Sequence, residues 1–206
     1  MIALFFEVTP RPGQDDRYLE IAGGLKPELE ASGGVAYLDR FRSLSRPRTM
    51  LSHQLWADEA SLARWRANGR HYGAQTAGRR EVFEDYRLRV GAVAADMAGR
   101  LVAKLEPGLT YNDTARTPER WMIVVRSEGA LFHPDGIAGE GWRSVYNDKA
   151  YAFVADVAGR EVGEGLMAMA DQDPCVSAAH LVLVSRDYGM FARGEAPQYF
   201  PQTKGA

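Results

Sequence analysis

The chain has 206 residues, of which 46% are apolar and 25% charged, and its formal net charge at pH 7 is −2. This balance describes a globular protein of one large or two small domains, and it excludes the strongly basic character of nucleic-acid-binding proteins. No run of about 18 apolar residues occurs, so we expect neither a transmembrane helix nor a membrane partner. The one cysteine, Cys175, is expected to be a small buried residue, and we expect a cytoplasmic protein.

The first hundred residues predict the element order β-α-β-β-α-β of a ferredoxin-like fold. Strands are predicted where apolar residues alternate or run together, and helices where apolar residues recur every three or four positions. The predicted elements are a strand over 2–8, a helix over 14–32, strands over 35–44 and 51–56, a helix that starts at Asp58, and a strand over 86–90. Gly23, Gly24 and Pro27 are expected to kink the first helix, and Gly69 is expected to break the second.

Two of these strands place polar side chains on one face. His53 shares a strand face with Leu51 and Leu55, which predicts a histidine in the core or at an interface. Arg87 and Arg89 alternate with apolar residues, so they are expected to face water or a partner. We expect these arginines to form salt bridges with an acidic partner face, and orientation of an anionic substrate is the alternative.

The second half of the chain repeats this pattern in degenerate form. Residues 41–44 (FRSL) are echoed by residues 142–145 (WRSV), and the same offset of 101 carries residues 50–56 onto 151–157. Only about fifteen residues separate the first two strands of the repeat, so its first helix is expected to be shortened or lost. The predicted organisation is a ferredoxin-like domain over 1–100, a linker over 101–119, a degenerate second ferredoxin-like repeat over 120–190 and a surface tail over 191–206.

Several segments resemble the antibiotic biosynthesis monooxygenase (ABM) family of the dimeric α+β barrel superfamily. The resemblance covers residues 1–95 and the C-terminal SRDYGM, and its other motifs are GVAYLDRFRS at 34–43, LWADEA at 55–60, the Trp65-Arg66 pair, His71, and FEDYRL at 83–88. It implies an α+β fold of two ferredoxin-like (βαββαβ) repeats, with antiparallel sheets packed face to face as a barrel. In the family two chains usually supply the two sheets. Here the second repeat is expected to supply the partner sheet as an intrachain pseudo-dimer, with a homodimer as a further possibility.

The resemblance also implies where a site would lie. Trp65 matches the helix-borne tryptophan of the quinone-forming and haem-degrading branches, and His71 takes the place of the tyrosine that follows it by six residues in the anthrone oxidases. The place of the axial histidine of the haem-degrading branch holds Gln75, and the place of its first-strand asparagine falls at Phe6 or Glu7, which disfavours haem chemistry. The second repeat has Leu166 at the tryptophan position, so the site is expected in the first repeat only.

These residues predict a cofactor-independent monooxygenase that acts on a small aromatic or phenolic substrate with O₂. His71 would be the base that takes a phenolic proton and Trp65 would line the cavity, with Phe6, Tyr72, Gln75 and Tyr86 as further substrate-binding residues. We expect no cofactor and no metal. Two alternatives stay open: a haem-binding or haem-degrading monooxygenase that uses His71, and a non-catalytic barrel that binds a small molecule or assembles. For His71 itself, the alternative is a surface or capping histidine.

Overall fold

Eight strands and five α-helices make up the parts of the chain that the computed structural model describes, residues 1–97 and 119–197. The first half contains β1 (Ile2–Pro10), α1 (Asp15–Gly24), α2 (Lys26–Ala31), β2 (Val35–Ser43), β3 (Met50–Trp56), α3 (Glu59–Ala67), α4 (Gly69–Ala77), a π-helical segment (Gly78–Val82) and β4 (Phe83–Asp96). The second half contains β5 (Trp121–Glu128), β6 (Glu140–Ser144), β7 (Ala150–Val157), α5 (Arg160–Asp171) and β8 (Val176–Gly189). The predicted linker lies almost wholly outside the described residues.

All strand pairs are antiparallel, and together the strands close one barrel in the order β1-β3-β2-β6-β7-β5-β8-β4. Within it the first half has the order β4-β1-β3-β2 and the second half the order β8-β5-β7-β6, which is the same ferredoxin-like arrangement twice. The two sheets join at the β2–β6 and β4–β8 seams. The predicted α+β barrel fold is therefore confirmed, and both of its sheets come from one chain.

The β2–β6 seam is symmetric in sequence. Arg42 pairs with Arg143, while Phe41 pairs with Ser144 and Ser43 pairs with Trp142. The offset of 101 makes Trp142 the equivalent of Phe41, Arg143 the equivalent of Arg42 and Ser144 the equivalent of Ser43. Phe41 therefore pairs with the equivalent of Ser43, and Ser43 pairs with the equivalent of Phe41. A duplicated unit whose two copies pack about a local two-fold axis accounts for this register.

Strand alternation separates the inside of the barrel from its helical layer. In β1, Ala3 and Phe5 belong to the core inside the barrel, whereas Leu4 and Phe6 pack toward the helices. The barrel core is filled by the side chains of Ala3, Phe5, Phe41, Leu51, Leu55, Val93, Met122, Val124, Trp142, Ala152, Val154, Val182 and Val184. The space for a ligand in the first half consequently lies outside the barrel, under the helices.

The helices of the first half break where turn residues interrupt their apolar pattern. The predicted first helix is two helices, α1 and α2, which meet at Leu25, so the expected kink is confirmed. Asp58 caps α3 by accepting a hydrogen bond from the Ser61 backbone nitrogen at 2.7 Å. The break near Gly69 falls at Asn68, and the chain then continues into α4, a helix that the sequence did not predict.

The second half lacks the helix that would match α1. Residues 129–139 form a loop between β5 and β6, as predicted. Phe132 from this loop packs edge-on against Phe153 with ring centroids 6.2 Å apart. On the same outer face, α5 lies so close to the sheet that a Cβ at Gly163 would meet Leu181 Cδ1 at 2.2 Å. Loop and helix side chains therefore fill the space that is open in the first half.

Ion pairs connect the two halves inside and beside the barrel. Buried Arg89 bonds to Glu7 at 2.5 Å and to Asp156 at 2.9 Å, and Arg87 forms two hydrogen bonds with Asp187. Both arginines thus pair with carboxylates of the second half, as the salt-bridge prediction required. Cys175 is half-buried rather than fully buried, which corrects the prediction for this residue. Among the described residues no helix has the length and apolar character needed to cross a membrane.

Two histidines inside the barrel make stability depend on pH. His53 is fully buried and stacks on Phe5 at 4.6 Å, and burial together with the nearby Arg126 and His180 lowers its pKa to about 3. Burial, with the charge of Arg126, lowers the pKa of His180 to about 4. In the unfolded chain both would take up protons near pH 6.5. Above pH 6.5 both histidines are neutral in the folded and in the unfolded chain, so they cost no stability. As the pH falls from 6.5 toward 4, only the unfolded chain takes up these protons, and the free energy of unfolding decreases.

We expect the free energy of unfolding to fall by about 1.4 kcal/mol per histidine for each pH unit below 6.5. Urea titrations between pH 7 and pH 5 measure this slope. His53→Leu should reduce the slope, because it removes the titrating group whose pKa burial lowers. Equal slopes for His53→Leu and the natural protein would contradict the account.

Candidate active site

A cavity of about 340 Å³ lies between the outer face of the first sheet and the layer of helices α1 to α4. Its floor is built from β1, β2, β3 and β4, with β8 of the second half along one side. Its roof comes from the helices and the π-helical segment. The cavity is therefore a property of the first half that one strand of the second half completes.

One straight row of side chains crosses this floor from strand to strand. The strand registers join Arg40 to Ser52, Ser52 to Phe6, Phe6 to Leu88, and Leu88 to Tyr188. Because neighbouring strands are about 4.8 Å apart, the row spans roughly 19 Å along the sheet. It is polar at both ends and apolar in the middle, which suits an elongated ligand with a mainly apolar body.

A bulge in β8 brings two residues of the second half into the cavity. Gly91 pairs with Val184 and Val90 pairs with Arg186, so Ser185 is the extra residue. Without this bulge, strict alternation from Val184 in the barrel core would also direct Arg186 into the barrel. The bulge instead turns Arg186 and Tyr188 outward, where both line the cavity.

The Arg40 end of the row is held rigidly. Its guanidinium donates hydrogen bonds to the Tyr146 hydroxyl at 2.9 Å and to the Ala22 carbonyl at 3.3 Å. Arg40 is buried, and its charge and hydrogen bond oppose the rise that burial causes in the pKa of the Tyr18 hydroxyl. Arg40 thus ties β2, α1 and the second half together beneath the cavity.

Trp65 and His71 form one unit in the roof. Their rings stack with centroids 4.4 Å apart at an interplanar angle of 16°. The backbone nitrogen of His71 donates to the Asn68 side chain at 3.0 Å, which caps α4, and His71 Nδ1 lies 3.0 Å from the Trp65 carbonyl. Since a carbonyl only accepts, Nδ1 carries the proton and Nε2 keeps its lone pair. The Gln75 amide nitrogen lies 3.4 Å from both ring nitrogens.

The surroundings of His71 keep it neutral at pH 7. Burial lowers the pKa of His71 to about 4, the hydrogen bond to the Trp65 carbonyl opposes this shift, and the positive charge of Arg66 adds to it. A neutral imidazole with a fixed tautomer can accept a proton at Nε2. The arrangement can therefore act as a weak base in the cavity lining.

The structure brings all six predicted site residues to the cavity. Its lining includes Trp65, His71, Phe6, Tyr72, Gln75 and Tyr86. Trp65 and Tyr86 are buried, Tyr72 is 47% exposed, and Phe6 packs against Tyr86 and Phe83. Glu7, the other first-strand position, points into the barrel and pairs with Arg89. In the described parts of the chain no three metal-ligating side chains cluster.

The sequence did not reveal how strongly basic the cavity is. Six cations line it against one carboxylate, Glu59, which pairs with Arg186 at 2.5 Å. The six are Lys26, Arg40, Arg66, Arg79, Arg186 and Arg193. They are scattered from the first helices to the last described residues, so no local spacing could have indicated them. Pro197 also lines the cavity, whereas the tail was predicted only to lie on the surface.

Comparison with known proteins agrees with this fold. The family described as antibiotic biosynthesis monooxygenase matches residues 1–77. The chain is also 35% identical over 219 aligned positions to a protein of Pyricularia oryzae (strain 70-15) named jasmonate monooxygenase ABM, covering 98% of this chain and 99% of that protein. The chain therefore belongs to the antibiotic biosynthesis monooxygenase family.

Two solved structures with low sequence identity are also similar. A crystal structure of an antibiotic biosynthesis monooxygenase is 15% identical with a TM-score of 0.42, and the match covers 46% of this chain and 100% of that one. A provisionally assigned monooxygenase from Lactobacillus acidophilus NCFM is 8% identical with a TM-score of 0.42, covering 89% of this chain and 92% of that one.

Proposed function

We propose that this member of the family is a cofactor-independent monooxygenase that acts on a small aromatic or phenolic molecule. The observation that supports this most directly is the stacked pair of Trp65 and His71. It places a neutral histidine with a fixed tautomer in the lining of a cavity whose floor is apolar at its centre. His71 is the proposed base, and Trp65 forms an aromatic wall for the substrate.

The proposed reaction begins with transfer of a phenolic proton to His71 Nε2, which leaves an electron-rich anion that reacts with O₂. Without an external reductant the substrate must supply all the electrons. A ring CH₂ group then becomes a carbonyl, one oxygen atom of O₂ enters the product, and the other leaves as water. The apolar floor excludes water from the anion, and the surrounding arginines stabilise its charge.

A second substrate class is favoured by the charge of the lining. The related Pyricularia protein is named for jasmonate, which is a carboxylate on a small apolar skeleton with a ring ketone. Six cations against one carboxylate in the cavity suit such an acid. We propose an apolar keto acid as the alternative substrate, with the same residues in the same places. His71 would take a proton from the ring CH₂ group beside the ketone, and this CH₂ group would become a carbonyl as one atom of O₂ enters the product and the other leaves as water.

Oxygen uptake tests this proposal directly. Purified protein stripped of metals and cofactors should consume O₂ when a polycyclic phenol or jasmonate is added, and added haem should show no shift of its Soret band. Uptake only after addition of haem would contradict cofactor independence and favour the haem-degrading alternative. Ligand binding without any oxygen uptake would contradict the proposed enzymatic activity and favour a non-catalytic binding barrel.

A further inference from the structure

The segment after β8 crosses the edge of the cavity. This segment, residues 190–197, is called the strap below. Arg193 donates to the Tyr86 hydroxyl at 2.7 Å, and Arg66 donates to the Pro197 carbonyl at 3.2 Å. Both Arg193 and Pro197 belong to the cavity lining. The strap is therefore part of the cavity wall rather than a separate surface tail.

Glu195 fastens the strap to the barrel at a further point. The Glu195 carboxylate accepts two hydrogen bonds from the Arg120 guanidinium, at 3.1 Å and 2.8 Å, and one from the Asp187 backbone nitrogen at 2.6 Å. Next to it, Ala196 is only 2% exposed. A bidentate arginine–carboxylate contact of this kind fixes position as well as charge. Arg193 is held at the cavity edge as a consequence.

Four guanidinium groups gather at this side of the cavity, and we name Arg66, Arg79, Arg186 and Arg193 the guanidinium cluster. Glu59 neutralises Arg186. Neither Arg79 nor Arg193 forms an ion pair with a carboxylate of the described residues. Burial lowers the pKa of Arg66, and the charges of Arg186, Arg193 and Arg79 lower it further. Mutually repelling cations beside an apolar cavity are stabilised when an anion binds between them.

The apolar side chains beside the guanidinium cluster indicate that the bound anion belongs to a larger, apolar molecule. The floor beside the cluster is formed by Leu88, Phe6 and Leu4, and the roof by Leu62 and Trp65. A free inorganic anion would leave this apolar space unfilled, whereas an apolar acid places its carboxylate at the cluster and its body on the floor. Planar guanidinium groups match a carboxylate in geometry.

We propose that the strap completes the substrate site and that the guanidinium cluster, with Arg193 supplied by the strap, binds the carboxylate of an apolar acid. This inference rests on the alternative substrate class of the proposed function, an apolar carboxylic acid, and it assigns acid specificity to a segment outside the first repeat. Arg193 is then a specificity-determining residue, and Glu195 is a positioning residue that acts through it.

Calorimetric titration of the full chain with jasmonate and with its methyl ester tests the proposal, because the ester keeps the apolar body and lacks the charge. The natural protein should bind the acid at least about tenfold more tightly than the ester. Arg193→Ala should remove most of that preference by weakening acid binding about tenfold and leaving ester binding within about twofold. Arg193→Lys should restore part of the preference for the acid, because lysine carries the positive charge but lacks the planar guanidinium group.

Arg160→Ala is the matched control, because Arg160 lies on α5 and pairs with Glu164 on the surface. It should change neither affinity, and melting temperatures verify that each variant is folded. Jasmonate should also slow tryptic cleavage after Arg193, and the ester should not. Equal affinities for acid and ester, binding of neither ligand, or an equal loss of both in Arg193→Ala would overturn the proposal. If the protein binds the acid more tightly than the ester but consumes no oxygen, the carboxylate site is supported and only the proposed monooxygenase function is contradicted.

Discussion

Replacement of His71 by alanine is expected to lower kcat/KM by about 10²–10⁴-fold, the range typical for loss of a general base. The effect should fall on kcat, because the apolar walls that bind the substrate stay in place. Stability should change by less than about 1.5 kcal/mol, the scale of one aromatic contact. Steady-state oxygen uptake and thermal melting measure the two quantities on the same samples.

The pH profile identifies His71 more specifically than the loss of rate. Since the pKa of His71 is lowered to about 4, the base is unprotonated above pH 5, and activity should stay level between pH 7 and pH 5. His133→Ala is the control, because His133 is exposed in the second half. Full activity in His71→Ala, or a profile centred near pH 6.5, would show that His71 is a capping residue and not the base.

Replacement of Gly91 by valine is expected to destabilise the protein by about 3 kcal/mol or more, as overpacking against backbone does. A Cβ at Gly91 would lie 2.4 Å from the Leu183 carbonyl oxygen and 2.6 Å from Val182 Cγ1. The backbone oxygen belongs to β8 and cannot rotate away. The β4–β8 seam must therefore open, and with it the bulge that turns Arg186 and Tyr188 toward the cavity.

Gly23→Ala is the control for this prediction. Gly23 lies in α1 with no atom within 4 Å of its added Cβ, so alanine there should stabilise the protein by about 0.5–1 kcal/mol. Urea unfolding of the two variants gives both values. A Gly91→Val protein as stable as the natural one would contradict the close approach of β4 and β8.

The fold was predictable because its signals are local. Alternation of apolar and polar residues marks the strands. The break at Leu25 falls where Gly23, Gly24 and Pro27 weaken one long predicted helix. The short connection between β5 and β6 left no room for a helix. Helix α4 was missed because it begins within a glycine-containing segment, where helix propensity is low. The Asn68 cap and packing of Trp65 on His71 stabilise it, and packing of this kind is not visible in a sequence window.

The site was predictable in part. Trp65 and His71 lie only six residues apart, near the end of α3 and the start of α4, and the family resemblance placed them together. The basic lining was not predictable, because Arg40, Arg79 and Arg193 lie far apart in sequence and meet only through the barrel. The direction of Arg186 depends on the extra residue at Ser185, and a bulge reverses the side-chain pattern that alternation would predict. The homodimer remains a prediction.

Isotope labelling tests the central claim most directly. The protein, without added cofactor, is supplied with ¹⁸O₂ and either the polycyclic phenol or jasmonate, and the product is analysed by mass spectrometry. The account predicts one labelled oxygen atom in each product molecule and no label when ¹⁸O is supplied as water under ordinary O₂. A product without label from ¹⁸O₂, or with label from water alone, would contradict a monooxygenase at this cavity.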